Sequence, residues 1–255
     1  MLETIHLSHY YGDFAAVVDL NLVIESGELF GFLGPNGAGK STTMRMLAGL
    51  LRPTSGTARL AGKDLCKEPL AARRMVGFMP DELALYEKLT GSEFLRFIGG
   101  LYGLSDRQVA DRSQSLLVML GMDDKKDQVI QGYSHGMRQK IGLICALLHE
   151  PQILLMDEPL SGLDPRSARL VKDVLKSFCR NGGTVMLSTH TLEIAERMCD
   201  RVGIIDHGQL IAAGRIEDLR AQEHQAANAS LEDLFLQLTG GQEIAEIANN
   251  LAESL

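Results

Sequence analysis

The sequence predicts an α/β fold, a largely parallel sheet covered by helices on both faces, and three observations carry that prediction. Short apolar runs of strand length alternate with helical stretches through the second half of the chain. A buried run, Leu29-Phe30-Gly31-Phe32-Leu33, leads into a glycine-rich loop and then a helix. A second run, Ile153-Leu154-Leu155-Met156, ends in two adjacent carboxylates, Asp157 and Glu158. Open parallel sheets bind their ligands at this edge.

The elements follow in order. Leu2 to Leu7 is strand-compatible, Val17 to Ile24 alternates in places, and Ser26-Gly27-Glu28 is a turn. Thr42 to Leu50 reads as a helix closed by Arg52-Pro53 and Ser55-Gly56. Met75 to Met79 is a short apolar run stopped by Pro80. Thr90-Gly91-Ser92-Glu93 and Ser105-Asp106-Arg107-Gln108 both match the helix capping box, and the second helix ends at Gly121. Residues 88 to 133 thus read as an all-helical insertion between α/β portions.

After the insertion, helices are expected over 136–148, 165–179 and 192–199, with strands at 152–156, 184–188 and 202–205. His207-Gly208 turns into a further strand, Gln209 to Ala212. In the tail, Leu231, Leu234, Phe235 and Leu238 lie at helical spacing behind Ser230, and Ile244, Ile247, Leu251 and Leu255 continue the pattern after Gly240-Gly241. Two readings of this tail stand: helices packed on the main domain, or a regulatory or dimer-contacting appendix. The expected division is a main domain over 1–220 and a helical appendix over 221–255.

A chain of 255 residues suffices for one large α/β domain with a real core, or for two small ones. Its 25 basic and 33 acidic residues leave a formal charge of −8 and no basic cluster, which argues against a nucleic-acid partner. Cys66, Cys145, Cys179 and Cys199 have neither CxxC nor metal-ligand spacing, and read as small hydrophobes in a reducing cytosol. The N-terminus has no basic region or long apolar run of the signal-peptide kind. The longest apolar stretch, Ile141 to Leu148, is eight residues, against about 20 for a bilayer span. A soluble chain is expected, with any membrane role supplied by a partner.

Gly34-Pro35-Asn36-Gly37-Ala38-Gly39-Lys40-Ser41 fits GxxxxGK[ST], between a buried strand and the helix entered through Thr42. Glycines let backbone N–H groups turn around a phosphate, and the helix start adds positive partial charge. Lys40 can reach the outer phosphates, and the Ser41 hydroxyl can ligate Mg²⁺. This loop by itself implies a nucleoside triphosphate and does not separate kinase, GTPase and transporter. At the acidic strand end, Asp157 can hold Mg²⁺ opposite Ser41. Glu158 is placed to orient and deprotonate an attacking water.

With the segments between them, these residues resemble the ABC transporter ATPase family over about residues 1 to 220. Tyr133-Ser134-His135-Gly136-Met137-Arg138-Gln139-Lys140 is similar to the family's signature segment, Ser161-Gly162-Leu163-Asp164 to its D-loop, and Ser188-Thr189-His190 to its switch-histidine segment. Tyr11 resembles the aromatic that stacks on adenine. The resemblance implies a P-loop core with a mainly parallel sheet, an N-terminal antiparallel β subdomain and the inserted helical subdomain. It also implies that two nucleotide-binding domains, identical or not, meet head to tail over ATP and Mg²⁺. Ser134 and the Gly136 amide would hold the γ-phosphate across that interface, and His190 would sense its loss.

Three features depart from or refine the resemblance. Asp81 stands where the family usually has Gln; it offers oxygen to Mg²⁺ through water, or is a solvated loop carboxylate. His135 and Met137 stand where Gly and Gln are common; His135 is either a contact near the nucleotide or a side chain pointing away. Leu85-Tyr86-Glu87-Lys88-Leu89-Thr90-Gly91, the Tyr-Ser-His-Gly-Met segment and Leu231-Glu232-Asp233-Leu234-Phe235 resemble the branch serving ABC-2-type permeases, mostly exporters. That branch implies a peripheral position on the cytoplasmic face of the membrane, with Glu82 to Phe97 lining the permease groove. A soluble non-transport ABC ATPase is the alternative. A small-molecule kinase would leave the signature segment, Ser161–Asp164 and His190 unexplained.

Overall fold

The computed structural model describes residues 1–222 and 230–240. Two sheets carry the fold. The first is four-stranded and antiparallel, in the order β2-β1-β4-β5, from β1 (Leu2–Tyr11), β2 (Phe14–Ile24), β4 (Ser55–Leu60) and β5 (Lys63–Asp64). The second is six-stranded, in the order β10-β9-β3-β8-β7-β6. It comprises β3 (Leu29–Leu33), β6 (Val76–Met79), β7 (Ile153–Asp157), β8 (Thr184–Ser188), β9 (Arg201–Asp206) and β10 (Gln209–Gly214). All neighbours in it are parallel except β10, which returns antiparallel on β9 through His207-Gly208.

Strand alternation sorts the core into two layers. Phe30, Phe32, Ile153, Leu155 and Met186 face the layer shared with the antiparallel sheet and with α1 (Lys40–Leu47). Leu29, Leu154, Met156, Val185 and Leu187 face the opposite layer. That layer is closed by α5 (His135–Leu147) and α6 (Pro165–Arg180), together with the helices of the insertion, α3 (Gly91–Leu101) and α4 (Asp106–Met119). Both capping boxes form, at Thr90/Glu93 and Ser105/Gln108.

Several expectations are corrected. The helix expected over 42–50 starts two residues earlier, at Lys40, and stops at Leu47, because Gly49 turns to φ +69°. β2 begins three residues earlier than expected, at Phe14. Strand β4 and helices α2 (Pro69–Arg74) and α8 (Ile216–Gln222) had no clear signal in sequence. β4 buries only Ala58 and Leu60 against an exposed start, so its alternation is weak. α7 (Leu192–Met198) follows His190.

The tail residues Leu231 and Leu234 are fully buried in α9 (Leu231–Leu238), among Leu33, Ala195, Val202, Ile204 and Leu219. This first tail helix therefore packs on the main body. The helix expected through Ile244, Ile247, Leu251 and Leu255 lies outside the described residues. Among the described residues, no helix is long and apolar enough to cross a membrane.

Candidate functional site: a phosphate loop and two carboxylates

The loop from Gly34 to Gly39 joins β3 to α1, with Gly37 and Gly39 in left-handed turning conformations. Gly39 stands at φ +109°, and a Cβ there would meet the Ala16 carbonyl oxygen at 2.4 Å. α1 consequently starts without a side-chain cap and without an acidic residue in its first turn. The first amides of a helix have no intrahelical partner. Here they are left for an external anion, with the helix dipole in support. Lys40 Nζ donates to the carbonyls of Gly34 at 2.6 Å and Pro35 at 3.0 Å, holding the side chain back along the loop. Burial lowers the pKa of its ammonium, and the Glu158 and Asp157 carboxylates oppose that shift.

Asp157 and Glu158 come from the end of β7. Asp157 is buried and accepts a short hydrogen bond from the Ser188 hydroxyl on β8. Glu158 has φ +50°, a conformation that costs a non-glycine residue energy and that clusters at functional sites. Its amide donates to the Ser188 carbonyl at 3.2 Å, and its carbonyl accepts from the Ser161 amide at 3.1 Å. Its carboxylate Oε1 lies 3.0 Å from His190 Nδ1. A strained backbone, pinned on both sides, thus aims one carboxylate across the sheet edge.

One cavity of about 410 Å³ collects these groups: Asn36, Gly37, Gly39, Lys40, Ser41 and Thr42 from the loop and α1, then Asp81, Asp157, Glu158, Ser161 and His190. Phe14 and Ala16 form its remaining wall. Phe14 had no role in the sequence reading. Tyr11 does not line this cavity; its exposed ring packs edge-on against His9, with centroids 4.5 Å apart. Pro35 and Ala38 line an adjoining hollow with Asp206, His207 and Thr239.

Ser41, Asp81 and Asp157 all border the cavity and offer only oxygen, one hydroxyl and two carboxylates, the donor chemistry that suits Mg²⁺. Among the described residues no three His, Cys, Asp or Glu side chains group as a metal cage.

Ser134 and Gly136 do not line the cavity. They sit at the start of α5, where the Ser134 hydroxyl caps the helix by accepting from the Met137 amide at 3.3 Å. The first turn of α5 carries no acidic residue. α6, by contrast, is closed by Asp164, which accepts from the amides of Arg166 and Ser167. The Ser167 hydroxyl foremost, then the Ser167 and Arg166 amides, hold the Asp164 carboxyl below its ordinary pKa. The His135 ring does not point away; its Nε2 lies 3.0 Å from the Ser161 carbonyl.

The fold and this loop together define a P-loop nucleotide-binding cassette. The sequence profile of the ABC transporter family matches residues 17–161. The chain belongs to that family.

Its relatives agree. It is 40% identical over 240 residues to YbhF of Escherichia coli (strain K12), named "Probable multidrug ABC transporter ATP-binding protein"; the match covers 93% of this chain and 41% of that protein. The chain therefore spans under half the length of that curated relative. It is also 40% identical to the daunorubicin/doxorubicin resistance ATP-binding protein DrrA of Streptomyces peucetius, over 86% of this chain and 67% of that protein. A solved structure described as the ATP-binding subunit of an ABC transporter superposes with a TM-score of 0.87 at 35% identity, covering 93% of this chain and 99% of that one.

Proposed function

We propose that this cassette binds and hydrolyses MgATP between two subunits set head to tail, identical or closely related. We further propose that it drives export through a separate ABC-2-type permease from the cytoplasmic face of the membrane. One observation carries the two-subunit reading. Ser134 and Gly136, at a helix start suited to an anion, lie outside the cavity that gathers Lys40, Ser41, Asp157, Glu158 and His190. A second subunit would bring that helix start onto the phosphates and close the site. The names of YbhF and DrrA, a probable multidrug transporter protein and a daunorubicin/doxorubicin resistance protein, support export.

The residues then divide the work. The loop amides and Lys40 hold the β- and γ-phosphates. Glu158 orients the attacking water and takes its proton. His190, with Nδ1 3.0 Å from the Glu158 carboxylate, faces the same γ-phosphate and registers its departure. Ser134 and the Gly136 amide add charge stabilisation across the interface. Ser41, Asp157 and Asp81, the last through water, would hold Mg²⁺, which when bound neutralises phosphate charge. Tyr11 would stack on the adenine.

The two-subunit reading is tested with Glu158→Gln, which keeps the phosphate loop and loses the base. With ATP it should elute as a dimer in size-exclusion chromatography; a strictly monomeric elution, even with the permease present, overturns that reading. Export is tested by co-purification from membranes. Recovery of an integral membrane partner supports it, and recovery of only soluble partners overturns it.

A further inference from the structure

His135 opens α5 and is exposed, yet its ring is committed. Besides the 3.0 Å contact of Nε2 with the Ser161 carbonyl, it packs over Gly162, where an added Cβ would come within 2.6 Å of Cδ2. Gly162 turns at φ +65° and so presents the Ser161 carbonyl to the ring. Ser161 borders the nucleotide cavity, and its amide donates to the Glu158 carbonyl at 3.1 Å. Leu163, one residue beyond the turn, packs with the apolar layer under α5. The loop from Pro159 to Asp164 is thus held at its start by Glu158, at its end by the α6 cap, and in the middle by one imidazole.

We propose that His135 is a positioning residue: its Nε2–H donates to the Ser161 carbonyl and so ties the signature segment to Glu158 within one chain. The proposal rests on the two-subunit reading above. In that arrangement Ser134–Gly136 faces the nucleotide bound by the partner, while Glu158 faces the nucleotide bound by its own chain. The link runs over two hydrogen bonds, His135 to Ser161 and Ser161 to Glu158. It ends on a residue whose backbone is already strained, where a small displacement re-aims the carboxylate. A γ-phosphate engaged at one site would thereby set the geometry of the base at the other. Glycine at this position, common in the family, has no ring with which to do this.

Mixed dimers decide it. One chain carries Glu158→Gln, so that only the nucleotide of the other chain is hydrolysed, and single-turnover hydrolysis is followed. His135→Ala in the hydrolysing chain should slow that turnover by about 10- to 100-fold, the scale of a misplaced catalytic group. The same substitution in the Glu158→Gln chain should change it by less than about threefold, since that chain contributes only its signature segment. His135→Gln in the hydrolysing chain should restore most of the rate, because its amide nitrogen stands as many bonds from Cα as Nε2. Nucleotide affinity of the single chain should be unchanged. Loss confined to the Glu158→Gln placement, equal loss in both placements, or no loss in either overturns the proposal.

A second measurement does not need the dimer. Amide hydrogen exchange at Ser161–Leu163 in the single chain should quicken severalfold in His135→Ala and return toward the parent value in His135→Gln. Unchanged exchange in His135→Ala overturns the clamp. Failure of Glu158→Gln to dimerise, with the exchange result as expected, instead removes the two-subunit reading.

Discussion

The helix that starts at Lys40 and the helix that starts at Ser134 both offer amides to an anion, but their surroundings differ. Around the first, one chain supplies an ammonium, two carboxylates and a histidine within a single cavity. Around the second there is an exposed serine that caps its own helix and a histidine turned onto the Ser161 carbonyl. The first gathers its groups from one chain. The second lies outside that cavity, and on the proposed reading it acts only against a second subunit. On the proposed two-subunit reading, the contrast predicts that nucleotide affinity and hydrolysis can be separated by substitution.

Substitutions can break or sharpen that comparison. The largest effect is expected from Glu158→Gln: phosphate release should fall about 10²- to 10⁴-fold, as for loss of a general base, while equilibrium ATP binding stays close to the parent value. Near-parent turnover would remove Glu158 from that role. Lys40→Ala should weaken ATP binding by roughly 10- to 100-fold, the scale of a lost charge-assisted hydrogen bond. Isothermal titration measures this, and unchanged affinity would refute the phosphate-loop assignment.

Ser134→Ala separates the two helix starts. Affinity of the single chain for ATP should not change, whereas hydrolysis in the dimer should drop by about tenfold, below the loss typical of a full oxyanion donor. The lost cap should also cost about 1 kcal/mol of stability. A fall in single-chain affinity would mean that the signature segment already touches nucleotide without a partner.

The smallest effect concerns the seam that joins the two helix starts. His149 lies two residues beyond the end of α5, and its Nε2 is 3.0 Å from the Val76 carbonyl at the start of β6, the strand leading to Asp81. The ring stacks on Tyr102 with centroids 3.8 Å apart, and its Nδ1 is buried without a partner. Burial, above all, lowers the pKa of His149. The unfolded chain therefore takes up this proton first, below about pH 6.5, so the folded state loses stability as pH falls through that value. Urea midpoints should drop between pH 7.5 and 5.5, and His149→Gln should flatten part of that slope. An identical slope in the variant would exclude His149 as a contributor.

Much of this was legible before any coordinates. The phosphate loop, the strand ending in Asp157-Glu158, both capping boxes and the buried tail face at Leu231 and Leu234 were all readable, because each depends on residues near one another in the chain. Weakly patterned elements were not. β4 hides two small apolar positions among exposed ones, and α2 is six residues announced only by Pro69 at its start. Phe14 in the cavity wall and the His135 ring on the Ser161 carbonyl escaped notice for another reason, since sequence carries no record of which loops approach.

The sequence by itself determined the class of chemistry, since glycine, lysine, serine and paired carboxylates at fixed spacing act through local backbone geometry. Tertiary structure alone decided how those groups are coupled. Parallel pairing of β7 with β8 brings Ser188 to Asp157 and His190 to Glu158. Packing of α5 against the 159–164 loop sets His135 on Ser161. Such contacts join residues 26 or more positions apart, and only the closing of the core brings them within hydrogen-bonding distance.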